Sequence, residues 1–403
     1  MSRLEELIQQ YCPDGVEYRP IWSLTAWDKK FNGIDKSKQK KVIKYNYLLA
    51  ADLKSYQVEG GTVKLLTTNI SNLYTTEELA EELASDGEVV AIPWGGNPIV
   101  QYYKGRFLTA DNRIATSLDT TLLNNKFLYY CMLSKMDIIA SFYRGSGIKH
   151  PEMAKVLDLE IPVPPLPVQE EIVRILDNFA ELQAELQAEL QKRLQQYNYY
   201  RDNLLSFEGR NDIEWKKLGD VCDFMNGKGH EKSIVEKGKY IVVNSKFIST
   251  QGCVRKYSDE QISPLFIGDV LMVMSDLPNG RALAKCFIVD KDNLYTLNQR
   301  ICSLRVKNQK ELSAKYLFYI TNRNRQLLRF DNGVDQTNLR KDDILNIVIP
   351  VPPITEQQRI VDILDRFNAL TTDITAGLPA EIEARRKQYE YYRDQLLTFK
   401  QKA

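Results

Sequence analysis

The segment Tyr197–Phe207, YNYYRDNLLSF, returns almost unchanged as Tyr389–Phe399, YEYYRDQLLTF, an offset of 192 residues. Upstream of each copy lies a second duplicated block. Ile161-Pro162-Val163-Pro164-Pro165 recurs as Ile349-Pro350-Val351-Pro352-Pro353, and the same offset of 188 carries Ile172, Ile175, Leu176, Asp177 and Phe179 onto Ile360, Ile363, Leu364, Asp365 and Phe367. Working outward, Gly87-Glu88-Val89 echoes Gly268-Asp269-Val270, Phe127-Leu128-Tyr129-Tyr130 echoes Tyr316-Leu317-Phe318-Tyr319, and Gly145 aligns with Gly333. The repeat therefore covers whole halves and not a helix alone. Leu4–Tyr11 reads as the stub of another helix end, which predicts a closed arrangement with adjacent termini.

Residues from about Gln169 to Phe207 contain no Gly or Pro, with apolar positions mostly three or four apart. This spacing predicts one helix on the order of 58 Å long, a spacer. The second copy opens on a capping-box pattern, Thr355-x-x-Gln358, and should stop and restart at Gly377-Leu378-Pro379. Its 3–4 seam suits antiparallel pairing with the first helix. Within the first helix Leu-Gln-Ala-Glu occurs twice in tandem, at Leu182–Glu185 and Leu186–Glu189. Each unit would add about 6 Å of helix, so copy number could tune a distance; good helix composition alone explains the pattern equally well. The fold class expected is α/β (α+β): two globular mixed regions separated by two long antiparallel, coiled-coil-like helices in a pseudo-twofold repeat. Short apolar runs at Val89–Ile92 and Val270–Met274 read as strands, and Lys126–Ala140 and Ala314–Phe330 as helices.

The chain has 403 residues and a net charge of +1, so bulk charge names no partner. The start, MSRLEELIQQ, is amphipathic rather than an apolar signal segment, and no run approaches a membrane span, which places the protein in the cytoplasm with no membrane partner. The six cysteines show no C-x-x-C spacing and are expected as packed, reduced thiols. With two histidines, His150 and His230, and no phosphate-cradling glycine loop, intrinsic catalysis is not indicated. Between Asp28 and Lys44 lie seven lysines against two aspartates. Lys29, Lys30, Lys36 and Lys38 in this loop are candidate backbone-gripping cations. Arg323, Arg325 and Arg329 are expected on one helix, joined by Arg340 and Lys341.

Candidate base readers are polar residues on loops in these regions, because amides and guanidinium groups read base edges bidentately. They are Lys149 and His150 in the first half, and Asp335, Gln336, Thr337 and Asn338 in the second. Asn226, Lys228 and His230 form another set, and the pairs Asn112-Arg113 and Asn298-Gln299-Arg300 a third. For the third set, where Asn112-Arg113-Ile114 sits in frame with Gln299-Arg300-Ile301, a buried arginine bonded inside its own domain is at least as good a reading as a DNA contact. Trp94-Gly95-Gly96-Asn97 is either a groove-entering turn or a hairpin.

At IPVPP leading into a Gln/Glu-rich helix start, and at YNYYRDNLLSF with YEYYRDQLLTF, the chain resembles the specificity subunit of type I restriction-modification systems over essentially its full length. The tandem LQAE is similar to tetrapeptide repeats that set spacer length in one subgroup. The resemblance implies target-recognition domains at residues 1–160 and 209–348, a central spacer helix at 161–208 and a distal helix at 349–403. It further implies a non-catalytic reader of an asymmetric, bipartite site on double-stranded DNA. Two modification subunits that methylate adenine N6 would dock on the helical frame, and restriction subunits would add translocation and cleavage. No cofactor is expected in this chain; the partners would use S-adenosylmethionine, and ATP and Mg in the restriction complex. The reading from a different class is a coiled-coil scaffold or adaptor without DNA specificity, which explains the helices and leaves the basic loops unexplained.

Overall fold

The computed structural model describes residues 2–207, 209–278, 280–372 and 377–402. The chain forms two compact units, Met1–Gln187 with Ile382–Ala403, and Ala188–Glu381. The central helix, Leu166–Ser206, has 41 residues. Pro167 sits in its first turn, where a missing N–H costs nothing, and Phe207 ends it at a positive φ of 47°. The second copy is two helices, Ile354–Thr372 and Leu378–Leu396, so the interruption read at Gly377-Leu378-Pro379 is present. The capping box is not. That helix starts one residue before Thr355, with the Pro353 carbonyl accepting from the Glu356 and Gln357 N–H groups.

In the first unit a six-stranded sheet runs in the order Thr25–Trp27, Asn112–Ser117, Ser85–Pro93, Gln101–Thr109, Val63–Leu66, Tyr74–Thr75. All neighbours are antiparallel except Val63–Leu66 with Gln101–Thr109. The core joins Ile92 and Ala115 of this sheet to Phe127 and Leu128 of the helix Asn125–Ser134, and to Ile172 and Leu176 of the central helix. The helix expected over Lys126–Ala140 breaks at Lys135 and continues as Met136–Ser141. The chain ends meet here: the Val16 N–H donates to the Lys400 carbonyl (2.8 Å) and the Lys402 N–H to the Val16 carbonyl (3.0 Å).

The second unit holds a four-stranded antiparallel sheet, Cys222–Asn226, Ile301–Val306, Val270–Val273, Cys286–Ile288, and a smaller mixed sheet around Tyr240–Val243. The helix expected over Ala314–Phe330 is two pieces, Ala314–Thr321 and Arg325–Leu328. Arg323 lies between them with φ at 56° and donates to the Leu283 carbonyl, while Arg325 pairs with Asp202 at 2.8 Å. The three arginines therefore do not share a helix.

The repeat is a repeat of contacts as well as letters. In the first unit the Asn124 N–H donates to Gln169 Oε1 (2.9 Å), and Gln169 Nε2 donates to the carbonyls of Leu122 (2.8 Å) and Pro164 (2.6 Å). In the second the Ser313 N–H donates to Gln357 Oε1 (2.8 Å), and Gln357 Nε2 to Glu311 (2.7 Å) and Pro352 (2.8 Å). Both glutamines are fully buried. Asp177 accepts from Lys126 Nζ and the Tyr130 hydroxyl, as Asp365 does from Lys315 and Tyr319. The short strand Tyr18–Pro20 pairs with Glu160–Pro162, and Glu214–Lys217 with Val348–Val351. Phe179 meets Tyr389 and Tyr392, and Tyr200 meets Phe367.

Five cysteines are buried and Cys253 is exposed. Burial pushes the Cys222 and Cys286 thiols up to about 12, which keeps them protonated and inert.

Candidate nucleic-acid interface

The basic loop after strand Thr25–Trp27 is anchored by what precedes it. Asp28 is buried, accepts from the Ile114 N–H (2.9 Å) and faces the Arg113 guanidinium at 3.4 Å. Burial pushes its carboxyl up, against the opposing pull of these two partners. Arg113 also donates to the Asn112 carbonyl (2.6 Å), and its guanidinium lies 4.4 Å from the centroid of the Trp94 ring. Asn112 Nδ2 donates inward to the Leu66 carbonyl (2.8 Å). Asn112 and Arg113 are thus interior residues of a strand, and of the two readings left open for them the buried arginine bonded inside its own domain holds, not the base contact: a lone guanidinium cannot be taken out of water without a counter-charge, and Asp28 supplies it.

With Asp28 fixed, the next residues are thrown into solvent. Lys29 and Lys30 are exposed, and Lys29 Nζ lies 5.4 Å from the Trp94 ring centroid. Lys36 is exposed on a short turn capped by Asp35, whereas Lys38 is half-buried and ion-paired with Asp158 at 2.6 Å. Lys149 and His150 are exposed on the loop opposite. His150 Nδ1 donates to the Trp94 carbonyl (2.7 Å), and the Gly96 N–H donates to the Lys149 carbonyl (3.1 Å). The loops carrying Lys29 and Trp94, with Pro151–Ala154, border a cleft of about 480 Å³. The structure thus brings Lys29, Lys30, Lys149 and His150 around Trp94, a residue the sequence left between a groove-entering turn and a hairpin.

In the second unit Asn226 and Lys228 are exposed at the end of strand Cys222–Asn226. Lys228 forms an isolated bridge with Asn298, and this needs glycine between them, since a Cβ on Gly227 would stand 1.9 Å from the Asn298 carbonyl oxygen. His230 is corrected: it is buried, its Nδ1 donating to the Lys228 carbonyl (2.7 Å) and its Nε2 lying 2.9 Å from Thr296 Oγ1. Asn298 is half-buried and accepts from the His230 N–H (3.2 Å). Gln299 and Arg300 are exposed, Gln299 held by Glu231 and Arg300 at φ 66° just before Ile301–Val306. Arg113 and Arg300, each followed by an isoleucine that lies in a strand, therefore differ, one interior and the other outside. Asp335, Gln336 and Asn338 are exposed, with Gln336 Nε2 donating to Ser275 Oγ (2.8 Å). Thr337 is buried in a bridge to Asp276, which removes it from the candidate readers.

Each unit thus carries cations or amides on loops fixed from beneath by buried polar bonds, an arrangement able to grip phosphates and read base edges. Among the described residues there is no group of three or more His, Cys, Asp or Glu placed to hold a metal ion, and no helix long and apolar enough to cross a membrane.

The family model described as the type I restriction modification DNA specificity domain matches the chain twice, at residues 29–196 and 211–384. The specificity subunit of the Escherichia coli type I restriction enzyme EcoR124I/EcoR124II is 35% identical, over 99% of this chain and 97% of its own length. A crystal structure of a type I restriction-modification S subunit from M. genitalium matches with a TM-score of 0.59 at 16% identity, covering 95% of this chain and 96% of that one. A chain solved in work on assembly and conformational transition of a type I R-M system matches at 0.51, also at 16% identity, covering 96% and 98%. At these identities the two structures speak for the fold alone.

Proposed function

The chain belongs to the type I restriction-modification DNA specificity family, and on that premise we propose that it reads an asymmetric, bipartite site on double-stranded DNA, one half through each unit. The observation that carries this reading is a shared frame with unlike loops. The buried clamps at Gln169 and Gln357, and the half-buried ones at Asp177 and Asp365, repeat bond for bond. The exposed residues differ: Lys29, Lys30, Lys149 and His150 on one unit, Asn226, Gln299, Arg300, Gln336 and Asn338 on the other. Two like scaffolds with unlike readers suit two different half-sites.

The chain itself is a non-catalytic reader. Two modification subunits dock on the duplicated helical frame, bind S-adenosylmethionine and methylate adenine N6 on an extruded base. Restriction subunits, using ATP and Mg, join the same assembly in the cytoplasm. A net charge of +1 fits a component whose grip on DNA is shared with those partners. The central helix, with Leu182 exposed at the start of its tandem LQAE, serves as the ruler between half-sites. The test is selection of duplexes from a random pool by the chain co-purified with its modification subunit. Enrichment of one bipartite sequence supports the reading; binding that is indifferent to sequence contradicts it and leaves a scaffold.

A further inference from the structure

Single exposed apolar side chains are ordinary on protein surfaces, but here one stands on each of two corresponding loops, Ile148 and Val334, although the offset of 188 sets Ile148 opposite Gln336 and Val334 opposite Ser146. In the first, the loop between Gly145 and His150 is clasped by the segment after strand Ser85–Pro93, through His150 to the Trp94 carbonyl and Gly96 to the Lys149 carbonyl. Its tip carries Ile148, 69% exposed. In the second, the loop between Gly333 and Asn338 is clasped by the segment after strand Val270–Val273, with Asn338 paired to Ser275. Its tip carries Val334, 74% exposed. The offset of 188 maps Gly145 and His150 onto Gly333 and Asn338, and the offset of 181 that maps Gly87 onto Gly268 maps Trp94 onto Ser275. The loop letters have otherwise diverged, from GSGIKH to GVDQTN.

Both tips are braced. A Cβ on Gly95 would lie 2.8 Å from Ile148 Cγ2, so the missing side chain there is what seats the isoleucine. Asn332 Oδ1 accepts from the N–H groups of Val334 (2.9 Å) and Asp335 (3.0 Å). A branched aliphatic held out in water on a fixed loop gains little from folding, so its apolar surface is available to be buried on binding. The surroundings name the occupant by charge. Exposed Lys149 is next to Ile148 in sequence, with Lys29 and Lys30 across the clasp; exposed Arg329, Arg340 and Lys341 flank the second loop in sequence, outnumbering Asp331 and the exposed Asp335 beside Val334. An apolar point among phosphate-binding cations fits a base step of duplex DNA.

We propose that Ile148 and Val334 are wedges, each entering a base step in its own half-site and loosening the stack there. This rests on the reading of the chain as a DNA-specificity subunit. A loosened step lowers the cost of extruding a nearby base for modification, and the wedge acts in both halves whatever sequence each half reads.

The test uses the complex of the full chain with its modification subunits and its selected duplex, with 2-aminopurine substituted at successive positions of each half-site. Besides the rise at the extruded target adenine itself, fluorescence should rise on binding at one further step per half. Ile148→Ala should abolish this second rise in one half only and Val334→Ala in the other, each weakening binding severalfold without changing its salt slope. Ile148→Leu should keep the second rise. Tight binding by the wild-type complex with no second rise in either half overturns the wedge and leaves DNA reading intact, whereas a complex that retains no duplex sinks both.

Discussion

Phe179 lies over Tyr392 with ring centroids 5.6 Å apart and an interplanar angle of 23°. The duplicate contact, Tyr200 with Phe367, has 5.4 Å and 28°. One half of each aromatic pair comes from the IPVPP-led block and the other from the YxYYRD block, so the two strongest sequence repeats meet in the same way in each unit. Phe179→Ala and Phe367→Ala should each cost about 1–3 kcal/mol, the lost half-buried ring plus its stacking. Hydrogen exchange is the measurement. Faster exchange is expected in residues 382–396 for the first variant and in 188–206 for the second.

The buried glutamines predict a larger and equal effect. Gln169→Ala strands the Asn124 N–H and the carbonyls of Leu122 and Pro164, and Gln357→Ala strands their counterparts. At about 1–3 kcal/mol per buried unpaired group, each variant should lose at least ~2 kcal/mol in denaturant unfolding. Exposed Gln187→Ala should stay within about 0.5 kcal/mol.

Much of this frame was legible in the sequence, because a duplication writes the same tertiary demand twice. Asp177 and Asp365 stand out by offset alone; Gln169 and Gln357 share that offset, but nothing local marks a glutamine as interior. The site was less legible. Arg113 is neutralised by Asp28, 85 residues earlier, and His230 is bonded to Thr296, 66 residues later. Partners at such separations leave no periodic trace, so the sequence alone does not choose between an interior arginine and a polar reader at Asn112-Arg113. The helix breaks at Lys135 and Arg323 likewise lack the Gly or Pro that announces one; Arg323 takes a left-handed φ because the Leu283 carbonyl holds its side chain and its N–H donates to Ala284.

Deleting Leu182–Glu185 removes one turn, about 6 Å of continuous helix. The expected outcome is a recognised spacer shorter by about two base pairs at roughly 3.4 Å each, with both half-sites unchanged. Methylation mapping in cells carrying the deletion reads this directly; an unaltered spacer would remove the helix from the role of ruler.

The basic loop predicts a graded salt response. Lys36→Ala should weaken binding of the complex and reduce the slope of log K against log salt by about 0.9, the value for one lost phosphate contact. Lys38→Ala should change the slope less, because its ammonium is tied to Asp158. Equal slopes in wild type and the Lys36 variant would assign that lysine to a solvated face.

The most direct test of the account is modification-sensitive long-read sequencing of host DNA, with and without this gene, in cells that express the partner methyltransferase. The account predicts one asymmetric, bipartite N6-methyladenine motif that disappears on deletion. Identical methylation in the two strains would contradict it.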